Sequence, residues 1–267
     1  MLTRRTRSWD NKTMPYEQEL NAALEAAKLA GEAALGYWRT GLAADSKKDE
    51  SPVTAADRHC ERLLVQHLCG HFPDDGILGE EGAQKASANG RRWIIDPIDG
   101  TRDFVRGNRL WTMLIALEDN GEVVAGVAHF PALGETYAAS RGAGATRNQQ
   151  PIRVSSITEI SQSVLCLNGF QHAHKLNFHR TLLEWAKPFW AVRSMGGGLD
   201  AMLVCSGSAE VWIEPIAQPW DLAALKILAE ESGARFFNFD GGASIYAGNC
   251  VITVPALETT LRRFVGQ

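Results

Sequence analysis

Cysteine is scarce and scattered in this chain. The five cysteines stand at positions 60, 69, 166, 205 and 250, and no two of them form a C-x-x-C pair. This spacing argues against a zinc ribbon, and the odd number argues against a complete disulfide framework. We expect all five to be small buried hydrophobic side chains in a protein of the reducing cytoplasm.

The chain also lacks long hydrophobic runs and a strong excess of either charge. No apolar run approaches the ~18 residues that a membrane span needs, and no apolar signal-peptide core follows the basic residues 1–15. The formal net charge of −4 offers no basic surface for nucleic acid. We therefore expect a small-molecule partner, neither nucleic acid nor membrane, and a frayed segment over residues 1–15.

The composition that is present is that of an ordinary globular protein. Hydrophobic residues make up 45% and charged residues 22% of the 267 positions, which argues against disorder, collagen and coiled coils. A chain of this length forms one large domain or two closely joined ones. Because it contains no internal repeat and no low-complexity linker, we predict two layered α/β halves that share an interface, residues 16–150 and 151–267.

Hydrophobic periodicity predicts alternating helices and strands. The predicted helices span residues 16–38, 55–68, 175–186, 199–205 and 220–232, and the predicted strands span residues 77–80, 92–96, 110–117, 122–130, 163–167 and 209–214. A polar loop at 45–54 separates the first two helices, and Asp119-Asn-Gly121 predicts a hairpin turn. The last of these helices is expected to start with Asp221 as its N-cap and to end before Gly233.

The most informative stretch follows a predicted strand. In Trp93-Ile-Ile-Asp-Pro-Ile-Asp-Gly-Thr101, Asp96 enters a turn stiffened by Pro97, and Asp99 follows three residues later. Gly100 allows the backbone to approach a ligand closely. Two carboxylates held at one place favour a hard cation such as Mg²⁺, although aspartates also cap ordinary turns of this kind.

Two further acids fall at the ends of predicted elements. Glu80 ends the strand in Leu78-Gly-Glu-Glu-Gly82, and Asp221 begins the last of the predicted helices. Each has an ordinary explanation, because Glu-Glu pairs are usually solvated and an aspartate at a helix start is usually a cap. Their occurrence together with Asp96 and Asp99 favours a shared metal site.

Three motifs together resemble those of the inositol monophosphatase family. They are Gly79-Glu-Glu81, Asp96-Pro-Ile-Asp-Gly-Thr101 and Trp220-Asp-Leu-Ala-Ala224, and the resemblance extends from about Tyr16 to the C-terminal region. It implies a layered α/β fold, a five-layer α-β-α-β-α sandwich, and usually a homodimer. It also implies lithium-sensitive hydrolysis of a phosphate monoester that depends on two or three Mg²⁺ ions.

The resemblance assigns a role to each matching position. The implied metal ligands are Glu80, Asp96, Asp99, Asp221, the backbone carbonyl of Ile98 and, for a weaker ion held through water, Asp57. Glu80 and Thr101 would orient and deprotonate the attacking water, and the N–H groups of Gly100 and Thr101 would hold the phosphate. The implied substrate contacts are Asp99, Gly100, Thr101, Arg193, Glu214 and Asp221.

Some of these residues also have an ordinary structural explanation that does not require a functional role. Lys47, near the Asp57 position in the family, stands in a charged loop where a lysine is usually solvated. Glu214 fits a solvated acid at a strand end, and Arg193 fits a surface arginine. The seven histidines show no metal-binding spacing, and His172 and His174 are expected at the surface.

The segments Phe104-Val-Arg-Gly107 and Pro131-Ala-Leu133 resemble the histidinol-phosphatase branch of the family more than the inositol branch. Against this, the glycines 196–198 lack the acidic residue of that branch, so that Glu214 or Asp200 would need to replace it. We therefore expect a histidinol-phosphate phosphatase of histidine biosynthesis, with an inositol-1-monophosphatase as the alternative. A non-catalytic metal-binding regulatory protein that docks on a macromolecule is the second hypothesis, and the intact pair of Glu80 and Thr101 counts against it.

Overall fold

The computed structural model describes residues 14–40, 45–46, 52–53, 55–176 and 178–266. Lys47 and most of the basic segment 1–15 lie outside these residues. The helices are α1 (Glu17–Thr40), α2 (Ala55–His71), α3 (Thr101–Val105), α4 (Leu182–Ala186), α5 (Gly197–Cys205), α6 (Pro219–Ser232) and α7 (Glu258–Val265). Short 3-10 segments lie at Ile160–Gln162, Phe170–Lys175 and Pro255–Leu257.

The strands of the N-terminal part are β1 (Asp45–Ser46), β2 (Pro52–Val53), β3 (Gly76–Gly79), β4 (Gln84–Lys85), β5 (Arg91–Asp99), β6 (Thr112–Asp119), β7 (Glu122–Phe130), β8 (Glu135–Ser140), β9 (Gly144–Arg147) and β10 (Gln150–Ile152). Those of the C-terminal part are β11 (Val164–Leu167), β12 (Ala191–Arg193), β13 (Val211–Glu214), β14 (Arg235–Phe237) and β15 (Cys250–Thr253). Strands β1 and β2 pair with each other across the polar loop.

The remaining strands form two sheets. The first has eight strands in the order β10-β9-β8-β7-β6-β5-β3-β4, and the second has five in the order β12-β11-β13-β15-β14. In the first sheet β3 and β5 are parallel neighbours, and in the second sheet β11 is parallel to both β12 and β13. These parallel pairs determine where the ends of the strands meet.

Helices and sheets alternate in five layers, as the resemblance of the three motifs implies. Helices α1 and α2 pack on one face of the eight-stranded sheet, and α5 and α6 lie between the two sheets. Helices α4 and α7 cover the outer face of the five-stranded sheet. Each space between layers holds a hydrophobic core.

The central strands are buried on both faces. Along β5, Trp93 and Ile95 enter the core beneath α1 and α2, whereas Ile94 between them enters the core against α6. Successive side chains of a strand point to opposite faces, so a strand covered on both sides reads as a continuous apolar run. This explains the unbroken Trp-Ile-Ile before the acidic motif.

Two predicted elements are corrected by the structure. The helix expected at 175–186 is reduced to Leu182–Ala186 and is preceded by a 3-10 segment and turns. The backbone N–H and Oγ1 of Thr181 both donate to the carbonyl of Phe178, at 3.1 Å each, while the Phe178 ring is buried in the outer core. Local hydrogen bonds of this kind compete with helix formation.

The second correction concerns the turn expected after Asp96. Strand β5 continues to Asp99, which pairs with Thr112, and its register against β6 shifts between Asp96 and Asp99. Proline has no N–H for the ladder, so the intervening residues form an irregularity within the strand. The two carboxylates therefore stand within one distorted strand end.

The expectation that all five cysteines are buried is confirmed for four of them and is wrong for Cys69. All five are free, and four of them are buried, while Cys69 is half-buried. Within the described residues no helix has both the length and the apolar character needed to cross a bilayer.

Candidate active site

Two parallel strands bring the first acids together. Strands β3 and β5 run side by side, with Gly79 opposite Ile95, so their carboxyl ends reach the same edge of the sheet. Glu80 follows β3, and its backbone N–H donates to the carbonyl of Ile95 at 3.2 Å. The Glu80 carboxyl also shares a hydrogen bond with Asp96. Local strand pairing thus places Glu80 beside the acidic motif.

The irregular end of β5 is held by its own side chains. Asp96 Oδ1 accepts a hydrogen bond from the N–H of Ile98 at 3.0 Å, and Thr101 Oγ1 donates to the carbonyl of Ile98 at 3.2 Å. Gly100 has φ 84°, a left-handed conformation that glycine adopts without strain, and α3 starts directly after it. The backbone therefore reverses here with the oxygens of the motif kept close together.

A glycine of α5 closes one side of this group. The N–H of Gly198 donates to Asp99 Oδ2 at 3.2 Å. A Cβ atom on Gly198 would lie 2.9 Å from that oxygen and 2.7 Å from the methyl carbon of Thr112. Any side chain at this position would force Thr112 or Asp99 to move, which gives a physical reason for part of the glycine triplet.

Asp221 reaches the group from helix α6. The N-cap of α6 is Gln218, so the prediction that Asp221 is the N-cap is wrong. With Pro219 at the first helical position, the helix starts three residues earlier than predicted, and Asp221 Oδ2 accepts from the N–H of Gln218 at 2.7 Å. Asp221 keeps a capping function, but its carboxylate is also directed towards Asp96 and Asp99.

Asp96, Asp99 and Asp221 each offer an oxygen within 4.8 Å of the others. Burial and the charges of neighbouring acids, Glu80 foremost, raise the pKa of Asp96 well above its ordinary value. Burial and Glu80 raise the pKa of Asp99 to about 6, and burial and Asp99 raise that of Asp221. Crowded carboxylates of this kind repel one another unless a cation lies between them.

The donor set fits a divalent metal ion. Its side chains supply oxygen alone, they are anionic, and they are partly or fully withdrawn from water. Hard cations prefer such oxygen ligands, and their charge removes the repulsion that raises the pKa values.

Two of these acids, Glu80 and Asp99, line a cavity of about 280 Å³. Its walls are formed by Glu80, Asp99, Gly100, Thr101, Arg102, Asp103, Leu110, Asn168, Gly196 and Gly197. The volume is close to the lower end of small-ligand pockets, roughly 300 Å³. A larger cavity of about 740 Å³ beside Arg92 and Tyr246 shares none of these residues.

A second pair of parallel strand ends meets beside the same cavity, whose wall includes Asn168. Glu214 ends β13 and Asn168 follows the parallel strand β11, and Asn168 Nδ2 donates to Glu214 Oε2 at 2.6 Å. Glu214 is only 5% exposed, so the alternative of a solvated acid is excluded. Burial is the main cause that raises its pKa to about 8. Asn168 was missed in the sequence, although an asparagine directly after a buried strand is a usable signal.

The model of the inositol monophosphatase family matches residues 16–265. The chain belongs to the inositol monophosphatase family.

Its relatives within the inositol monophosphatase family include histidinol-phosphatases. It is 43% identical over 236 residues to the histidinol-phosphatase of Chlorobaculum parvum, which covers 88% of this chain and 91% of the relative. It is 38% identical over 217 residues to that of Mycobacterium tuberculosis, covering 79% and 84%. The solved structure of the extragenic suppressor protein suhB from Bartonella henselae superposes with a TM-score of 0.86 at 26% identity, covering 94% of this chain and 99% of that one.

These similarities confirm the resemblance and the layered fold that were predicted from the motifs. They also show that the chain is a phosphoric monoester hydrolase, of a family whose members generally depend on metal ions.

Other residues implied by the inositol monophosphatase resemblance lie outside the three-acid cluster. Asp57 is buried in the first turn of α2. Arg193 is exposed on the edge strand β12, and its Nη1 donates to the carbonyl of Val192 at 2.9 Å. Asp200 is fully buried and accepts from the N–H groups of Met195 and Gly196, so it does not line the acidic cavity. The metal role of Asp57 and the substrate role of Arg193 stay predictions.

One supporting residue of this inositol monophosphatase site was not foreseen. Glu61 of α2 is 6% exposed, and its two oxygens accept from the N–H groups of Glu81 and Ala83 at 2.8 and 3.0 Å. It therefore braces the turn that begins with Glu80. Its sequence neighbourhood reads as an ordinary amphipathic helix, because the contact depends on how α2 packs beside the turn.

Proposed function

We propose that the protein hydrolyses L-histidinol phosphate with Mg²⁺ as its cofactor. The observation that carries the metal-dependent chemistry is the cluster of Asp96, Asp99 and Asp221, of which Asp99 lines a small cavity. The choice of substrate is supported by 43% identity to a histidinol-phosphatase over most of both chains. The reaction breaks the P–O bond of the ester and releases the alcohol and inorganic phosphate.

Two or three Mg²⁺ ions would be held by Glu80, Asp96, Asp99, Asp221 and the carbonyl of Ile98, with Asp57 contributing through water. When bound, Mg²⁺ lowers the pKa of water and neutralises charge on the phosphoryl and leaving oxygens.

The residues of the chain position the reactants. In this proposal Glu80 accepts a proton from the attacking water, and Thr101 orients that water. Thr101 Oγ1 already donates its proton to the carbonyl of Ile98, which leaves its lone pairs to accept from the water. The backbone N–H groups of Gly100 and Thr101 bind the phosphate, and Asp99, Asp221 and Arg193 contact the substrate.

Glu214 gives the cavity wall a preference for a cationic substrate. It stands behind Asn168, and a Cβ atom on Gly197 would lie 3.6 Å from its Oε2. Asp200 cannot serve this purpose because the backbone N–H groups of Met195 and Gly196 occupy its carboxylate. The ammonium group of histidinol phosphate would stabilise ionised Glu214, whereas an uncharged polyol would not.

We also propose that the protein is a homodimer. Leu183, Trp190 and Phe170 are 71%, 70% and 59% exposed and border one apolar groove. A second copy that covered this groove would remove a large apolar surface from water. Light scattering should then give twice the chain mass of 29.2 kDa. A mass of one chain at micromolar concentration would contradict the dimer.

The substrate proposal is tested by measuring phosphate release at saturating Mg²⁺ with EDTA as the blank. L-histidinol phosphate and myo-inositol 1-phosphate are compared by kcat/KM in the wild type and in Glu214→Gln. We expect the wild type to have a higher kcat/KM for histidinol phosphate than for the inositol ester. In Glu214→Gln this ratio should become smaller, while kcat/KM for the inositol ester changes little.

A preference for the inositol ester would contradict the substrate and leave the phosphatase chemistry intact. Absence of turnover on both esters, together with recovery of a stoichiometric macromolecular partner, would favour a regulatory protein of the same fold.

A further inference from the structure

A histidine-rich cluster lies between α1 and α2, away from the acidic cavity. It consists of Glu25 on α1 and of His67 and His71 on α2. None of the three lines the acidic cavity. His71 is the last residue of the 17-residue helix α2, and Asp57 lies in its first turn, about 21 Å away by the helical rise.

The two histidines stand one helical turn apart on the same face of α2. Their ring centroids are 4.5 Å apart with an interplanar angle of 36°. His67 Nε2 lies 3.6 Å from Glu25 Oε2, and one ligand atom from each of the three residues lies within 4.8 Å of the others. The expectation that no histidines have metal-binding spacing is therefore wrong for this pair.

Hydrogen bonding leaves nitrogen lone pairs available in the cluster. His71 Nδ1 lies 2.9 Å from the carbonyl of His67, which can only accept, so Nδ1 carries the proton and Nε2 carries the lone pair. His67 Nε2 is buried and has no hydrogen-bond partner among the described residues. A buried polar atom without a partner is costly, and a metal ion is one of the groups that can satisfy it.

We infer that Glu25, His67 and His71 form a second metal site, which takes Zn²⁺ or a similar divalent transition ion. Two imidazole nitrogens and one carboxylate are a ligand set that suits zinc and is unlike the all-oxygen set that Mg²⁺ prefers. Bonds of about 2.0–2.1 Å in a tetrahedron separate two ligand atoms by roughly 3.4 Å. The 3.6 Å separation of His67 Nε2 and Glu25 Oε2 is close to that value.

The ion would add a link between two helices that already meet through apolar side chains and through the contact of the Tyr37 hydroxyl with His59 Nδ1 at 3.0 Å. Helix α2 also carries Glu61, which braces the turn at Glu80. The zinc site is structural: it stabilises the α1–α2 pair and leaves the hydrolytic residues untouched. A metal ion that binds only the folded state stabilises that state by RT ln(1 + [Zn²⁺]/Kd), so stability rises with the concentration of free Zn²⁺.

The test measures bound zinc after equilibrium dialysis against micromolar Zn²⁺ in excess Mg²⁺. Wild type is compared with His71→Gln and with His172→Gln, an exchange outside the cluster. Zinc bound at the acidic site should be the same in all three proteins. The difference in bound zinc per chain therefore measures binding at the histidine cluster alone. We expect the wild type and His172→Gln to retain one zinc more per chain than His71→Gln.

Two further readouts do not depend on enzyme activity. Added Zn²⁺ should raise the Tm of the wild type by several degrees more than that of His71→Gln or Glu25→Gln. Co²⁺ should give the visible absorption of a tetrahedral site with nitrogen ligands, which His71→Gln should lack. His71 is exposed, so the metal-free Tm of this variant should equal that of the wild type. Equal zinc content and equal Tm shifts in the wild type and His71→Gln would contradict the proposal that this cluster binds zinc.

Discussion

At the scale of single residues, the acidic site brings together carboxylates that repel one another when no metal ion is bound. Asp96 is 1% exposed, its pKa is raised, and it shares a hydrogen bond with Glu80. A folded protein retains such a group only when a ligand offsets the cost. The same carboxylates should therefore lower stability without metal and support activity with it.

Exchange of one carboxylate for its amide separates these two effects. Asp96→Asn keeps the oxygen that accepts from Ile98 and supplies a donor for Glu80. In EDTA we expect its Tm to rise by about 2–4 °C, the shift that roughly 1 kcal/mol produces in a chain of this size. Its kcat/KM should fall by about 10³-fold or more, because a metal ligand supports several kcal/mol of transition-state stabilisation. Scanning calorimetry and phosphate release measure the two quantities, and an unchanged rate would contradict the assignment.

The raised pKa values also predict how stability changes with pH in the absence of metal. Asp99 and Glu214 have pKa values of about 6 and about 8 in the folded protein, above their ordinary values of ~4 in an unfolded chain. Between pH ~4 and ~8 the folded state binds more protons than the unfolded state, so these groups lower stability as pH rises. In EDTA the Tm of Glu214→Gln should therefore exceed that of the wild type by a margin that grows from pH 5 to pH 8. A Tm difference between the variant and the wild type that stays constant or shrinks from pH 5 to pH 8 would contradict this prediction.

At the scale of the elements, the site is built where chain segments end. The acids predicted from sequence belong to short local motifs, in which an apolar strand runs directly into Glu80 or Asp96. Asp221 is the third residue of its helix because the helix begins at Pro219, whereas the sequence-based prediction placed the N-cap three residues too late, at Asp221 instead of Gln218. Glu61 and Asn168 were missed because their roles arise from contacts with residues 20 or more positions away.

The bracing of the Glu80 turn by α2 can be tested directly. Glu61→Gln would place an NH₂ group against one of two backbone N–H donors, because both Glu61 oxygens now accept. We expect phosphate release to fall by roughly 10- to 100-fold, with a higher Mg²⁺ concentration for half-maximal rate. Glu32→Gln, on the exposed face of α1, is the matched control and should behave as wild type. Equal rates in both variants would show that the brace has no catalytic consequence.

The close approach of α5 to Asp99 gives a second prediction for an element. In Gly198→Ala the new methyl group would overlap Thr112 and Asp99, so we expect a loss of about 1–3 kcal/mol in the free energy of unfolding. Gly36→Ala in α1 is the control, since nothing lies within 4 Å of a Cβ atom there. Urea unfolding measures both, and a Gly198→Ala variant as stable as the wild type would contradict the packing argument.

At the scale of the whole molecule, layering explains how a site is formed by residues from both halves. The eight-stranded sheet supplies Glu80, Asp96 and Asp99, α6 between the sheets supplies Asp221, and the five-stranded sheet supplies Glu214. The alternation of helices and strands could be predicted from the sequence because most elements show a clear hydrophobic periodicity. The structure of residues 175–186 could not be predicted in this way, because side-chain hydrogen bonds and the burial of Phe178 outweigh the helical pattern of the sequence there.

The most direct test of the account is the Mg²⁺ dependence of phosphate release from L-histidinol phosphate in the wild type and Asp221→Asn. Asp240→Asn is the control, because Asp240 is an exposed acid in a turn that belongs neither to the cluster nor to the lining of the acidic cavity. We predict no release in EDTA, saturation with Mg²⁺ in the wild type and the control, and a rate roughly 10³-fold lower in Asp221→Asn. Release that persists in EDTA, or that is equal in Asp221→Asn and Asp240→Asn, would contradict hydrolysis by a metal held at these acids.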